Sequence, residues 1–367
     1  MPASTQPDLL DLLREAIARG ASDLHIVADT PPVIRVDGSL GALNETVLSP
    51  DTTREIILSV LTETQRARLE DEWELDFALA IDGVGRFRGN AHYNRGALEA
   101  AFRHIPESIP TLKELGHRAN VELATEFDSG LILVTGITGS GKSTTQAAIL
   151  KQISESRAAM IITVEDPIEF IFANSSSVIK QREVGHDTKS FAEALKHVLR
   201  QDPDVILVGE MRDLETIRAA ITAAETGHLV LATLHTIDAP KAIDRIVDAF
   251  PAGQQPQIVS QLAGCLKMVI SQRLLPQETG AGRALATEVL VTNNAVRACI
   301  RDGRYEQLVG LIEIGAREGM HTIDESLIEL YQGRQISKEQ ALALARDRER
   351  IEGISREPVK NKRGLFG

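Results

Sequence analysis

Cysteine is nearly missing from the chain. Only Cys265 and Cys299 occur among 367 residues, too few for a disulfide scaffold or a four-cysteine zinc site and compatible with a reducing cytosol. Both read as small core residues. No apolar run approaches membrane-spanning length, so no direct membrane span is expected. The opening Met1-Pro2-Ala3-Ser4 has no basic start and no apolar segment behind it, so it does not read as a secretion signal, and a cytoplasmic protein is expected. An excess of positive charge is also missing: 40 Lys and Arg stand against 52 Asp and Glu, a net charge of -12. That balance disfavours nucleic acid and anionic lipid as general partners. What remains is ordinary globular material, 43% hydrophobic and 25% charged, at a length that favours two domains or one large domain with an accessory.

The stretch 1–105 mixes short helices and strands. Leu9, Leu13 and Ile17 recur at a spacing of four, predicting an amphipathic helix closed by Gly20. Short apolar stretches at 24–26 and 33–36, split by Pro31-Pro32 and ended by Asp37-Gly38, predict an antiparallel hairpin. Ser49-Pro50 reads as an N-cap with proline at the first helical position, opening a helix through Ile56, Ile57 and Val60. Leu75, Phe77, Leu79 and Ile81 alternate, Asp82-Gly83 turns, and Arg86-Phe87-Arg88 resumes an extended run toward Arg103. The expectation is a small α+β domain, followed by a linker at 106–120 with Pro106, Pro110 and a short helix at the Thr111/Glu114 capping box.

Beyond 121 the rhythm changes. Continuous apolar runs at 131–134, 160–164, 205–208 and 229–232, with helical stretches between them, predict an α/β domain built on a parallel sheet covered on both faces. Ser190 and Glu193 mark a capping box before a helix ending near Arg200. From about 293 to 350 the pattern is helical, and 353–367, with Arg356, Lys360, Lys362 and Arg363, reads as a flexible tail.

The chemistry begins at Gly136. The run Gly136-Ile137-Thr138-Gly139-Ser140-Gly141-Lys142-Ser143 matches a phosphate loop placed after one strand and before one helix. Backbone N–H groups from Gly136, Thr138, Gly139, Ser140, Gly141 and Thr144 can curl around phosphate oxygens, Lys142 can reach the β and γ phosphates of ATP, and Ser143 can ligate Mg²⁺. Hydrolysis also needs a carboxylate near the γ-phosphate, and Glu210 ends the run 205–209 at a strand's carboxyl end, with Gly209 where an aspartate is usual. Glu165, Asp166 and Glu169 form a second acidic turn that can reach the same crevice. His228 and His235 bracket one strand, about 23 Å apart if extended, so only one can approach the phosphate. His235 lies on the carboxyl side with the other candidates; for His228 a structural role is at least as good a reading.

Together with Val164-Glu165-Asp166-Pro167-Ile168-Glu169, Gln181-Arg182-Glu183-Val184-Gly185, the segment 204–213 and the segment 226–236, the phosphate loop resembles the secretion-superfamily motor ATPases. Within these the chain most resembles the retraction ATPases of type IV pili, from about Ser22 to Arg346. The resemblance implies a RecA-like P-loop ATPase core (121–352) with a C-terminal helical subdomain from about 293, preceded by a PAS-like domain (1–105). It implies a homohexamer that hydrolyses ATP to power pilus retraction and twitching motility, working through a platform protein at the cytoplasmic face of the inner membrane, with a second retraction ATPase as a further candidate partner. Glu210 would activate water, Glu165 assist and His235 sense the γ-phosphate. Arg88, Arg95 and Arg103 match N-terminal-domain positions that reach bound nucleotide in the family; the bland alternative is a solvated or surface-paired arginine. The absence of a longer N-terminal region and of a four-cysteine zinc element favours retraction over pilus assembly. Ile137 replaces the family's usual proline, and Ala295-Val296-Arg297-Ala298-Cys299-Ile300-Arg301 matches the retraction motif only in part. The rival readings are a secretion or DNA-transfer ATPase of the same superfamily, and a nucleotide-binding regulatory partner of a true motor.

Overall fold

The computed structural model describes residues 8–36, 38–105, 108–280 and 282–356. Asp37, Pro106 and the Lys360, Lys362 and Arg363 of the expected tail lie outside the described residues. Contacts divide the chain into two units, 1–108 and 109–367.

In the first unit α1 (Leu9–Ala18), β1 (Asp23–Ile26), β2 (Val33–Val36), β3 (Ser39–Ala42), α2 (Pro50–Ser59), α3 (Glu63–Glu72), β4 (Glu74–Ile81), β5 (Gly85–Asn94) and β6 (Ala97–Ile105) follow one another. They form an antiparallel sheet in the order β3-β2-β1-β6-β5-β4. Ser49 caps α2 by accepting the Thr52 N–H, with Pro50 at its start, as the sequence predicts. Leu75 and Phe77 on β4 join Phe87 on β5 and Leu98, Ala100 and Phe102 on β6 in one core with α1 and α2. The run expected to be continuous from Arg86 to Arg103 is instead a hairpin, β5 paired with β6. Its turn is Arg95-Gly96, with φ of 51° and 85°, the two consecutive left-handed residues that suit the strand twist.

In the second unit β7 (Gly130–Thr135), α4 (Lys142–Ser156), β8 (Met160–Glu165), β9 (Val178–Glu183), α5 (Phe191–Val198), β10 (Val205–Val208), α6 (Leu214–Glu225), β11 (Leu229–Leu234), α7 (Ala239–Asp248), α8 (Gln255–Cys265), β12 (Leu266–Pro276), β13 (Arg283–Val291), α9 (Asn294–Arg301), α10 (Leu308–Ile314), α11 (Ile323–Gln332), α12 (Lys338–Leu344) and α13 (Arg348–Glu352) occur in order. The sheet runs β13-β12-β7-β11-β10-β8-β9. Its centre, β12-β7-β11-β10-β8-β9, is parallel, and β13 pairs antiparallel to β12.

The four predicted apolar runs are β7, β8, β10 and β11, and period-two alternation sends their side chains to two cores. Leu131, Leu133, Ile206, Val208, Val230 and Ala232 pack under α5 to α8, while Ile132, Val134, Val205, Leu207, Leu229 and Leu231 pack with Ile149 and Ile153 of α4. Burial on both faces explains why these strands read as unbroken hydrophobic runs. Both cysteines are buried; burial pushes the Cys265 thiol up to about 12.

The Thr111/Glu114 capping box forms, with both hydrogen bonds present at 3.2 and 2.8 Å. It opens a turn rather than the expected helix, because Gly116 at φ 86° breaks the backbone after one turn. At α5 Ser190 accepts the Glu193 N–H, whereas the Glu193 carboxylate turns to Lys196, 2.7 Å away. Arg356, expected in a free tail, is held: it donates to Glu278 (3.1 and 2.6 Å) and to the Tyr331 and Ile336 carbonyls, and its guanidinium stacks 4.4 Å from the Tyr331 ring centroid.

Candidate active site

The phosphate loop is the turn from β7 into α4. Gly136 has φ 149°, and Gly139 and Gly141 have φ 77° and 86°, values that a side chain disfavours. A Cβ on Gly136 would lie 2.5 Å from the Gln272 carbonyl oxygen and would meet Ser140 Oγ. The loop is therefore pressed against β12. Gln272 also reaches it with its side chain, Nε2 donating to the Ser140 carbonyl at 2.6 Å, and Ser271 Oγ accepts from Thr135 Oγ1 at 2.8 Å. Gly141 is the N-cap of α4 and offers no side-chain cap. Ile137, Thr138 and Gly139 are exposed, and Lys142, Ser143 and Thr144 are half-buried.

A fifteen-residue helix that begins without a side-chain cap presents N–H donors and the positive end of its dipole at one place, which suits a phosphate. Lys142 Nζ donates to the Gly136 and Ile137 carbonyls at 2.9 and 3.1 Å. Burial lowers the Lys142 pKa, and the nearby carboxylates of Glu210 and Glu169 oppose that shift. Lysine, Glu210 and Glu169 thus share one electrostatic neighbourhood.

Glu210 follows β10. Its Oε1 is 2.8 Å from His235 Nε2 and 2.8 Å from Arg212 Nε. Burial raises its pKa, but the Arg212 and His235 hydrogen bonds outweigh burial and hold the carboxyl below its usual range. The Gly209-Glu210-Met211 corner is pinned from both sides. The Gly209 N–H donates to the Val164 carbonyl (2.8 Å), Thr233 Oγ1 donates to the Gly209 carbonyl (2.6 Å), and the Met211 N–H donates to the Thr233 carbonyl (3.1 Å). A Cβ on Gly209, which stands where an aspartate is usual, would sit 3.3 Å from the Val164 carbonyl oxygen and 3.4 Å from Glu165 Cα, a close but not forbidding fit.

Glu165 ends β8 and is buried, accepting from Thr163 Oγ1 at 2.6 Å and Gln181 Nε2 at 3.1 Å, and burial raises its pKa. Asp166 and Glu169 on the following turn are exposed. His228 lies at the opposite end of β11, its Nδ1 3.0 Å from the Ala223 carbonyl and 3.2 Å from Thr226 Oγ1, a structural cap on α6. Gly136 to Thr144, Glu169, Glu210 and His235 come together at the carboxyl ends of the parallel strands, where open α/β sheets take ligands. Arg88, Arg95 and Arg103 belong to the other unit. There Arg103 Nε contacts Asp23 Oδ1 at 2.8 Å, Arg88 pairs with Asp76 only at 3.9 Å, and Arg95 is exposed on its hairpin turn.

Sequence reading quoted Gln181 and Arg212 only as parts of longer motifs and gave them no role, and it missed Gln272 and His117. Arg212 lies two residues beyond Glu210, close enough to be a candidate. Gln272 sits on a strand that was not foreseen. His117 Nε2 is hydrogen-bonded to Thr145 Oγ1 at 2.9 Å, one turn into the phosphate-loop helix.

A family model described as Type II/IV secretion system protein matches residues 3–351. The chain belongs to this family. It is 46% identical over 335 residues to the type IV pilus retraction ATPase PilT of Pseudomonas aeruginosa, covering 91% of this chain and 97% of that protein. It is 43% identical over 341 residues to a twitching motility protein of Neisseria gonorrhoeae, covering 93% and 91%. A crystal structure of the pilus retraction motor PilT with bound ADP superposes with a TM-score of 0.88 at 45% identity, covering 95% of this chain and all of that one. The α/β fold of this secretion-system family member is the one its sequence predicts, and among the described residues no helix is long and apolar enough to cross a membrane.

Proposed function

We propose that this protein is an ATP-hydrolysing motor that powers retraction of type IV pili. The observation that carries the reading is the meeting of a phosphate loop, Lys142, Glu210 and His235 at one end of the parallel sheet, in a chain 45% identical to a retraction motor crystallised with ADP. Lys142 clamps the transferring phosphate, the α4 N-terminus and loop N–H groups orient it, and Glu210 takes the proton from the attacking water. Held in its ionised form, Glu210 is ready to accept that proton. His235, hydrogen-bonded to the same carboxylate, reports the γ-phosphate, and the buried Glu165 supports the neighbouring strand end.

Among the described residues no cluster of three or more His, Cys, Asp and Glu could hold a metal alone. Mg²⁺ needs no such cluster, because it binds phosphate sites through one or two protein oxygens together with substrate phosphates and water. Ser143, half-buried in the first turn of α4, is the residue that would hold it, and the ion would neutralise phosphate charge. Arg88, Arg95 and Arg103 complete the site from a neighbouring N-terminal domain in a homohexamer, their guanidinium groups suiting transferred phosphate. The ring acts on a platform protein at the cytoplasmic face of the inner membrane, with a second retraction ATPase as a further partner.

Steady-state phosphate release by the wild type and Glu210→Gln, with light scattering on the same samples, tests the reading. Glu210→Gln is expected to bind ATP and keep the assembly while turnover falls by about a hundredfold or more. Near-normal turnover in the variant would sink the assignment.

A further inference from the structure

Glu288 is 1% exposed on β13 and takes no part in the chemistry proposed above. Its Oε1 accepts the N–H of Ala239, the first residue of α7, at 3.2 Å, and its Oε2 lies 3.0 Å from Arg346 Nη1. Asp238, the N-cap of α7, accepts the Lys241 N–H at 2.9 Å and lies 3.8 Å from Arg346 Nη2. Arg346 is fixed in turn: its N–H and that of Asp347 donate at 2.7 and 2.8 Å to Asp324, a buried carboxylate on α11. One guanidinium on the connection between α12 and α13 therefore faces two carboxylates at the start of α7.

A carboxylate this deep is costly unless it is paired, and an apolar pair of similar volume would serve stability as well or better. The position of the pair explains its use. Ala239 is four residues past His235, and only 236–238 lie between the tether and the imidazole that contacts Glu210.

We infer that Glu288 and Arg346 are positioning residues that set the 235–239 loop, and with it His235 against Glu210, and tie that loop to the C-terminal helices. The inference rests on the hydrolytic site proposed above.

Arg346→Met with Glu288→Gln removes both charges and keeps an acceptor for Ala239. The pair is expected to fold with a melting temperature near that of the wild type, while kcat falls about tenfold or more and KM for ATP stays within about twofold, as for a displaced reacting group. Arg346→Lys, which retains one charge beside Glu288, is expected to give an intermediate kcat with the same KM. Wild-type kcat in the folded pair, or a loss that only follows lowered thermal stability, overturns the inference. Should the pair fail to fold, Arg346→Lys decides: an unchanged kcat overturns it. Glu210→Gln in the same assay separates the two claims. If it retains turnover, the reading of the site fails; if it is inactive while the pair is fully active, the tether alone is wrong.

Discussion

Gly136→Ala tests how the phosphate loop is built. At φ 149° an L residue carries backbone strain of about 1–2 kcal/mol. The new methyl would lie 2.5 Å from the Gln272 carbonyl oxygen, against a comfortable separation of about 3.5 Å. That oxygen belongs to β12, whose Ser271 is in register with Thr135 of β7, so the strand cannot retreat without disturbing the sheet centre. Overpacking adds about 1–3 kcal/mol, and the sum of about 2–5 kcal/mol lowers the melting temperature by about 4–20 °C for a unit of this size. The loop must yield by about 1 Å, enough to cost about a hundredfold in turnover. Gly280→Ala is the control: its φ is 81°, and nothing lies within 4 Å of an added Cβ. It is expected to lose only the backbone contribution and to keep wild-type turnover. Scanning calorimetry and phosphate release on both variants decide the matter, and a Gly136→Ala protein with wild-type melting temperature and turnover would refute the argument.

Two further outcomes are expected. Burial lowers the pKa of His117 to about 4 and of His321 to about 3, so below the unfolded value of 6.5 the unfolded chain takes up protons that the folded chain refuses. Stability should be full above pH 6.5 and fall toward pH 4, by about 2 kcal/mol per histidine between pH 7 and 5; His321→Gln should remove about half of that histidine-linked loss, read from urea midpoints at the two pH values. Arg356→Ala should release the contacts to Glu278 and Tyr331 and speed amide exchange in α11 to α13 with turnover unchanged, and exchange equal to the wild type would count against a clamping role.

Sequence showed the phosphate loop and the four central strands because their signals are local. Glycines at fixed offsets mark a turn that only they accept, and β7, β8, β10 and β11 are apolar along their length because both faces are covered. Glu210 and His235 were legible as strand-end residues once the strands were. The Arg95-Gly96 turn was not, since its flanks alternate as one strand would and arginine carries no turn preference. The pairings Gln272 to Ser140 and Glu288 to Ala239 join residues 132 and 49 positions apart, which no pattern within a window can connect.

Two strands that sequence reading did not foresee, β12 and β13, also help to hold the site in shape. β12 follows α8 with no turn residue between Cys265 and Leu266, so helical and extended patterns run together. Its Leu266 to Leu275 also mixes Lys267, Ser271, Gln272 and Arg273 into the apolar run. Two of those polar residues interrupt the signal where they face the phosphate loop and the strand leading into it: Ser271 bonds Thr135, and Gln272 bonds Ser140 while its carbonyl walls in Gly136. A strand whose polar groups are spent on positioning a loop loses the uniform apolar character that would have announced it. The same trade places Glu288 in the middle of β13, where an apolar residue would have made the strand plain and left the start of α7 without its acceptor.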